Sequence, residues 1–187
     1  MTVSTQEATA ALQDVARVHH RAAVSRGYEH GAPHFLLWSL IWLIGYGGTW
    51  LYPAWAGALW GVLDLIGIGG SFLIVRAAPR STLAVGDSAR GGRFAALALT
   101  ITGFMSATYF VLRPHDMNQY GAFPPLMMAL GYTALGIWNG IRWAAIGIAL
   151  AVLTVSGYAF LPAYFMPWMA VCGSASLLVT GLWMRRA

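Results

Sequence analysis

The 187-residue chain is 58% hydrophobic, 9% charged and has a mean hydropathy of +0.63, far from the roughly 25% charged residues of a soluble domain; the composition is that of a membrane protein. Its net charge of +5 does not mark a nucleic-acid binder, because the arginines stand at the ends of apolar runs and form no basic stripe. Lysine is absent and there is one cysteine, Cys172. These facts exclude Schiff-base chemistry, a P-loop, a serine–lysine dyad, an internal disulfide and a thiolate metal cage, and Cys172 reads as a buried structural thiol.

Residues 1–33 are polar and alanine-rich, open with Ser4 and Glu7 at capping-box spacing, and contain no apolar signal-peptide core. Leu12, Val15, Ala16, Ala22 and Ala23 make a weak apolar stripe, with Arg17, Arg21 and Arg26 elsewhere on the surface. The segment predicts a short amphipathic helix lying on the cytoplasmic membrane surface and broken by Gly31 and Pro33. It is the surface expected to recruit a protein partner, if there is one.

His19, His20, Glu29, His30 and His34 lie at or before the cytoplasmic entrance of the first run. His30 and His34 are four apart, the spacing that places two imidazoles on one helix face, and Glu29 adds an oxygen ligand suited to zinc. Gly31 and Pro33 interrupt the helix that such a site needs, so interfacial histidines are the expectation. His30, His34 and Glu29 remain the candidates for any metal, and no cofactor is expected. Haem is disfavoured because no apolar run carries a histidine at mid-depth.

Residues 34–187 carry six apolar runs, at about 34–52, 54–75, 94–112, 122–139, 142–160 and 164–184, each close to the roughly 20 residues that cross a hydrocarbon core. The expected fold is an all-α integral membrane protein of six transmembrane helices preceded by the amphipathic helix. Pro124 and Pro125 are placed in the first turn of the fourth run, where a missing backbone donor is harmless. Six spans put both termini on one side. Ten arginines fall on that side (17, 21, 26, 76, 80, 90, 93, 142, 185 and 186) and only Arg113 opposite, so both ends read as cytoplasmic in a bacterial-type inner membrane. Trp50, Tyr52 and Trp55, with Tyr164, Phe165 and Trp168, form an aromatic belt on the outer face.

Two outer turns look alike, "LYPAWAGALW" and "LPAYFMPWMA", and the spans after them end in "FLIVR" and "LWMRR". A duplicated hairpin of parallel orientation would give this. So would two tight turns that independently need proline and interfacial aromatics, and the shortness of the match favours the latter.

One carboxylate, Asp64, lies inside the second run, about 15 Å past its start at 1.5 Å per residue, hence near the bilayer centre. Helical spacing groups it with Gly57, Gly61, Gly67 and Ser71, so it is expected to face a neighbouring helix and not lipid. Comparable faces are Ser39, Trp42, Tyr46 and Thr49 on the first run and Thr102, Ser106, Tyr109 and Arg113 on the third. Others are Tyr132, Gly136 and Asn139 on the fourth, Gly147, Ala151, Thr154 and Tyr158 on the fifth, and Gly173, Ser176 and Thr180 on the sixth. Turned inward, they make a hydroxyl-rich interior, either packed or hydrated. No cation lies at mid-depth, so elimination leaves Tyr46, Thr102 and Ser106 as hydrogen-bond donors to a carboxyl that stays neutral unless water or a cation reaches it.

Intramembrane carboxylates are functional by default; the plain alternative is an interhelical hydrogen bond worth about 1 kcal/mol. The expected function is a small non-enzymatic transporter or channel-like protein, homo-oligomeric because so small a chain encloses little. Its proton- or cation-responsive site is Asp64, assisted by Tyr46, Thr102, Ser106 and Tyr109. The competing class is a non-transporting scaffold or accessory subunit recruiting its partner through the N-terminal helix. Only the lipid bilayer, other copies and such a partner are expected to bind; nucleic acid is not.

Overall fold

In a computed structural model the chain is described over residues 31–77 and 87–185, and among these residues there is no strand. The expected amphipathic helix, with Glu29 and His30, lies outside the described residues. Helix α1 covers 31–51. Gly31 and Pro33 are helical within the described part of α1. A 3-10 turn, Pro53–Trp55, leads into α2, Ala56–Ala77. Then come α3, Asp87–Leu112, α4, Met117–Asn139, and α5, Ile141–Phe160. A second 3-10 turn, Pro162–Tyr164, opens the last segment: α6, Phe165–Trp168, a π turn, Met169–Gly173, and α7, Ser174–Arg185.

Three of these segments, Pro53–Ala77, Ile141–Phe160 and Pro162–Arg185, are long and apolar enough to cross a membrane, and Leu99–Leu112 is a shorter apolar stretch. Large side chains such as Leu65, Phe110, Ile137 and Phe160 are exposed on the single chain. So much outward apolar surface suits lipid or another protein, not water.

The centre of the bundle is α1. Its Phe35 meets Tyr132 of α4 and Trp143 of α5 at ring separations of 5.2 and 5.6 Å. Trp42 lies over Gly173 and Leu36 over Gly181 of the last segment. On its other side Trp38 and Ile41 pack on Gly67 of α2, and the Trp38 indole donates to Ser71 at 3.3 Å. Glycine at these positions lets backbones approach closely, the usual basis of helix association in lipid.

Helices α4 and α5 form a tight hairpin joined by Gly140 alone, whose φ of 107° and ψ of 155° belong to a region essentially closed to other residues. Near the link, a methyl group on Gly136 would stand 2.7 Å from the Ala144 Cα. Helix α4 starts earlier than the apolar run implies. Asp116 is its N-cap, accepting from the Gln119 amide at 2.8 Å while the Gln119 side chain accepts from the His115 amide at 2.8 Å. This reciprocal arrangement closely resembles a capping box. Pro124 and Pro125 consequently lie inside the helix, not in its first turn.

The interior is packed. Phe165, Met169, Leu150, Leu177 and Met184 are fully buried, and the interior hydroxyls are satisfied by their own helices: Thr49 donates to the Gly45 carbonyl, Thr154 to Leu150, Thr133 to Ala129, Ser176 to Gly173. Such back-bonding satisfies the donor of each hydroxyl without water. The inward orientation expected for polar faces holds for Ser39, Trp42, Tyr46 and Thr49 and for Gly147, Thr154, Gly173 and Thr180, all buried. It does not hold for α3, where Thr102, Ser106 and Arg113 are exposed.

Candidate functional site

The polar chemistry sits on the flank formed by α2, α3 and the first half of α4. Its basis is the pair Pro124–Pro125. Each proline lacks the amide hydrogen that would bond four residues back, so the carbonyls of Tyr120 and Gly121 lose their intrahelical donors. Two phenols replace them: Tyr109 of α3 donates to the Tyr120 carbonyl and Tyr46 of α1 to the Gly121 carbonyl, both at 2.6 Å. In a membrane, proline inside a helix is tolerated when neighbouring helices satisfy the freed groups in this way.

Each phenol is held from the side. Tyr46 is buried, with Trp42 and Trp60 edge-on at 5.7 and 5.1 Å. Trp60 is fixed by its indole donating to Thr49 at 3.0 Å and by lying against Gly45. Tyr109 is half-buried between the rings of Tyr120 and Phe123, both at 5.3 Å. It also lines a cavity of about 280 Å³ with Thr108, Leu112, Pro114, Gln119 and Phe123, at the junction of α3 and α4.

The structure divides the small-residue face of α2. Gly67 and Ser71 turn toward α1, whereas Gly57 and Gly61 have nothing within 4 Å and Asp64 is exposed on the single chain. Helical spacing groups these residues over a broad sector, and within the single chain α1 occupies only one edge of it, the edge away from Asp64. Among the described residues no side chain hydrogen-bonds to Asp64 or forms an ion pair with it. Asp64 stands one helical turn beyond Trp60, whose ring packs on Tyr46, and the Tyr46 and Tyr109 phenols are both spent on backbone carbonyls.

Thr102 and Ser106 are exposed on α3, and the Ser106 hydroxyl donates to the Thr102 carbonyl of its own helix at 3.0 Å. Of the histidine group only His34 is described, half-buried on α1. The arrangement offers one ionisable carboxyl, two phenols locked in place and two carbonyls that a loosened phenol would uncover.

Because Pro125 is the reason Gly121 needs Tyr46, the two residues are energetically coupled. Tyr46→Phe should destabilise the protein by about 1–3 kcal/mol, the cost of a buried unsatisfied carbonyl. In a Pro125→Ala background, where the helix regains its own donor, the same change should cost clearly less. A double-mutant cycle read by denaturant titration in detergent micelles measures the difference, and equal costs in both backgrounds would dissociate the phenol from the proline.

Comparison with known proteins finds no matching family model, no matching curated protein and no matching solved structure.

Proposed function

We propose that the protein is a six-span membrane transporter or channel-like protein with both termini cytoplasmic, in which Asp64 is a proton- or cation-responsive site and Tyr46 and Tyr109 hold the adjoining helices. One observation carries this reading: a carboxyl in the middle of an apolar helix, exposed on the single chain, one turn beyond Trp60, whose ring packs on a phenol that braces the proline-containing helix α4. A carboxyl so placed is costly in lipid and is normally kept for ion or proton handling. The chain is not an enzyme in this reading.

The packed interior gives weight to a second reading, a non-transporting accessory subunit, since transport through one copy would need a path that its core does not leave open. The two readings separate on pH-dependent flux by purified protein in liposomes, with Asp64→Asn as the decisive variant.

The six-span topology has its own test. In a Cys172→Ser background, single cysteines at Ser88 and His115 should react with an impermeant thiol reagent from opposite sides of the membrane, His115 from outside. Labelling of both from one side in intact cells would refute the six-span topology.

A further inference from the structure

Where α3 runs into α4 the chain turns through Arg113, whose φ of 44° is uncommon for a residue with a side chain. The turn brings Pro114 into the wall of the cavity of about 280 Å³ that Thr108, Tyr109, Leu112, Gln119 and Phe123 also line. The hydrogen-bonding capacity of this wall is one-sided. The Thr108 hydroxyl donates to the Phe104 carbonyl at 2.8 Å and the Tyr109 phenol to the Tyr120 carbonyl at 2.6 Å, so each has spent its only proton and keeps lone pairs alone. Pro114 has no amide hydrogen to give. The Gln119 backbone amide is taken by Asp116, which leaves the Gln119 side-chain NH2 as the polar donor of the wall.

Two aromatic rings stand in the same wall. Those of Tyr109 and Phe123 are 5.3 Å apart and inclined at 53°, so they meet as a corner and do not stack on each other. Aromatic rings and hydroxyls reduced to lone pairs both favour a cation. An anion would instead seek the first turn of α4, but Asp116 already caps it. Arg113 and Asp116 are exposed on the connecting turn and carry opposite charges, so the lining decides the sign. A bare metal cation is poorly served, because no carboxylate lines the cavity to replace its water. The volume lies at the low end of ligand pockets, roughly 300–1,000 Å³, and suits a small head group.

We propose that this cavity binds a small organic ammonium ion. Its N–H groups donate to the Thr108 and Tyr109 hydroxyl oxygens, its charge lies against the Tyr109–Phe123 corner, and a neighbouring oxygen of the ligand accepts from the Gln119 side-chain amide. Ethanolammonium has this chemistry, both as a free ion and as the head group of a lipid. Binding uses the lone pairs of the Tyr109 phenol and so leaves its bond to the Tyr120 carbonyl in place. The site makes no use of Asp64 and holds whether or not Asp64 moves ions.

Nuclear magnetic resonance of the full-length protein in uncharged detergent micelles, with carbon-13 in the tyrosine rings, tests this. Ethanolammonium chloride should shift the Tyr109 signal saturably and leave that of Tyr132, which packs against Phe35 and Trp143, in place. Sodium chloride at the same ionic strength and ethylene glycol, the uncharged isostere, should do neither. Phe123→Leu should weaken binding about 2- to 5-fold, as expected for one ring beside a partly exposed cation. Thr108→Val, which keeps the side-chain shape and removes an acceptor, should weaken it about 2- to 10-fold. Asp64→Asn should leave it unchanged. Nanodiscs of phosphatidylglycerol with and without phosphatidylethanolamine distinguish the sources: a Tyr109 shift caused by the second lipid assigns the site to a head group, and a shift with the free ion alone assigns it to a soluble amine. A shift by ethylene glycol as large as that by ethanolammonium would overturn the proposal. So would the absence of a saturable shift with either source, or one that both Phe123→Leu and Thr108→Val leave intact.

Discussion

Gly147→Leu will prevent α4 and α5 from closing, and the protein will fail to accumulate as a folded species. A methyl group on Gly147 already falls 2.6 Å from the Thr133 amide nitrogen and against the Ala129 carbonyl. Overpacking costs about 1–3 kcal/mol where side chains can yield. Here the obstacles are backbone atoms inside a helix, so even Gly147→Ala should cost at least about 2–3 kcal/mol. The reference is Gly69→Ala on α2. A Cβ there meets nothing within 4 Å, and alanine is the better helix former by about 0.5–1 kcal/mol. Denaturant titration of the two variants in micelles measures the contrast. If Gly147→Ala unfolds at the same midpoint as Gly69→Ala, the hairpin packing described above is wrong.

That contrast shows why some of the architecture is readable in the sequence. Apolar run length locates the helices to within a few residues because the requirement is local: enough uninterrupted apolar side chains to stay helical in hydrocarbon. Gly147 and Gly69 look alike in the sequence, since what separates them is whether another backbone arrives, and that depends on the whole bundle. The start of α4 carries a local signal of its own, Asp116 with Gln119 three residues on, which lies upstream of the apolar run. The position of Pro124 and Pro125 follows from that start.

The site was less legible for the same reason. Asp64, Tyr46 and Tyr109 stand out in the sequence because a carboxyl and phenols are rare inside apolar runs, and the fold gives the two phenols one common task, bracing α4. Their mutual roles were not readable. Elimination assigned Tyr46 to Asp64 as a donor, but the proline-freed carbonyl of Gly121 takes its hydroxyl instead. Two broken backbone bonds outcompete the carboxyl because a carbonyl inside a helix cannot turn to find another donor, whereas a side chain can. The broad sector assigned to α2 fails similarly. Spacing alone orders residues around a helix and is silent on which arc a neighbour will occupy, so Gly67 and Gly61 could not be told apart until α1 was in place.

Asp64→Asn should leave the fold and oligomer size of the purified protein unchanged while reducing pH-dependent flux in liposomes to the level of protein-free vesicles. The amide matches the carboxyl in volume and can still hydrogen-bond, but it can neither release a proton nor carry the charge that a cation would neutralise. Asp64→Glu retains the ionisable group on a longer stem and should keep a reduced flux. Asp64→Leu removes the polar group entirely. Because Asp64 is exposed on the single chain, and a carboxyl at mid-depth disfavours insertion by about 2.5–3.5 kcal/mol, the leucine variant should insert into membranes at least as efficiently as the native chain, yet conduct nothing. An accessory subunit predicts otherwise: no flux from the native protein, or a flux that Asn leaves intact, with Leu weakening assembly through loss of a polar contact between copies. The ordering native, Glu, then Asn and Leu in flux, with assembly of the Leu variant intact, is the pattern that only a working carboxylate produces.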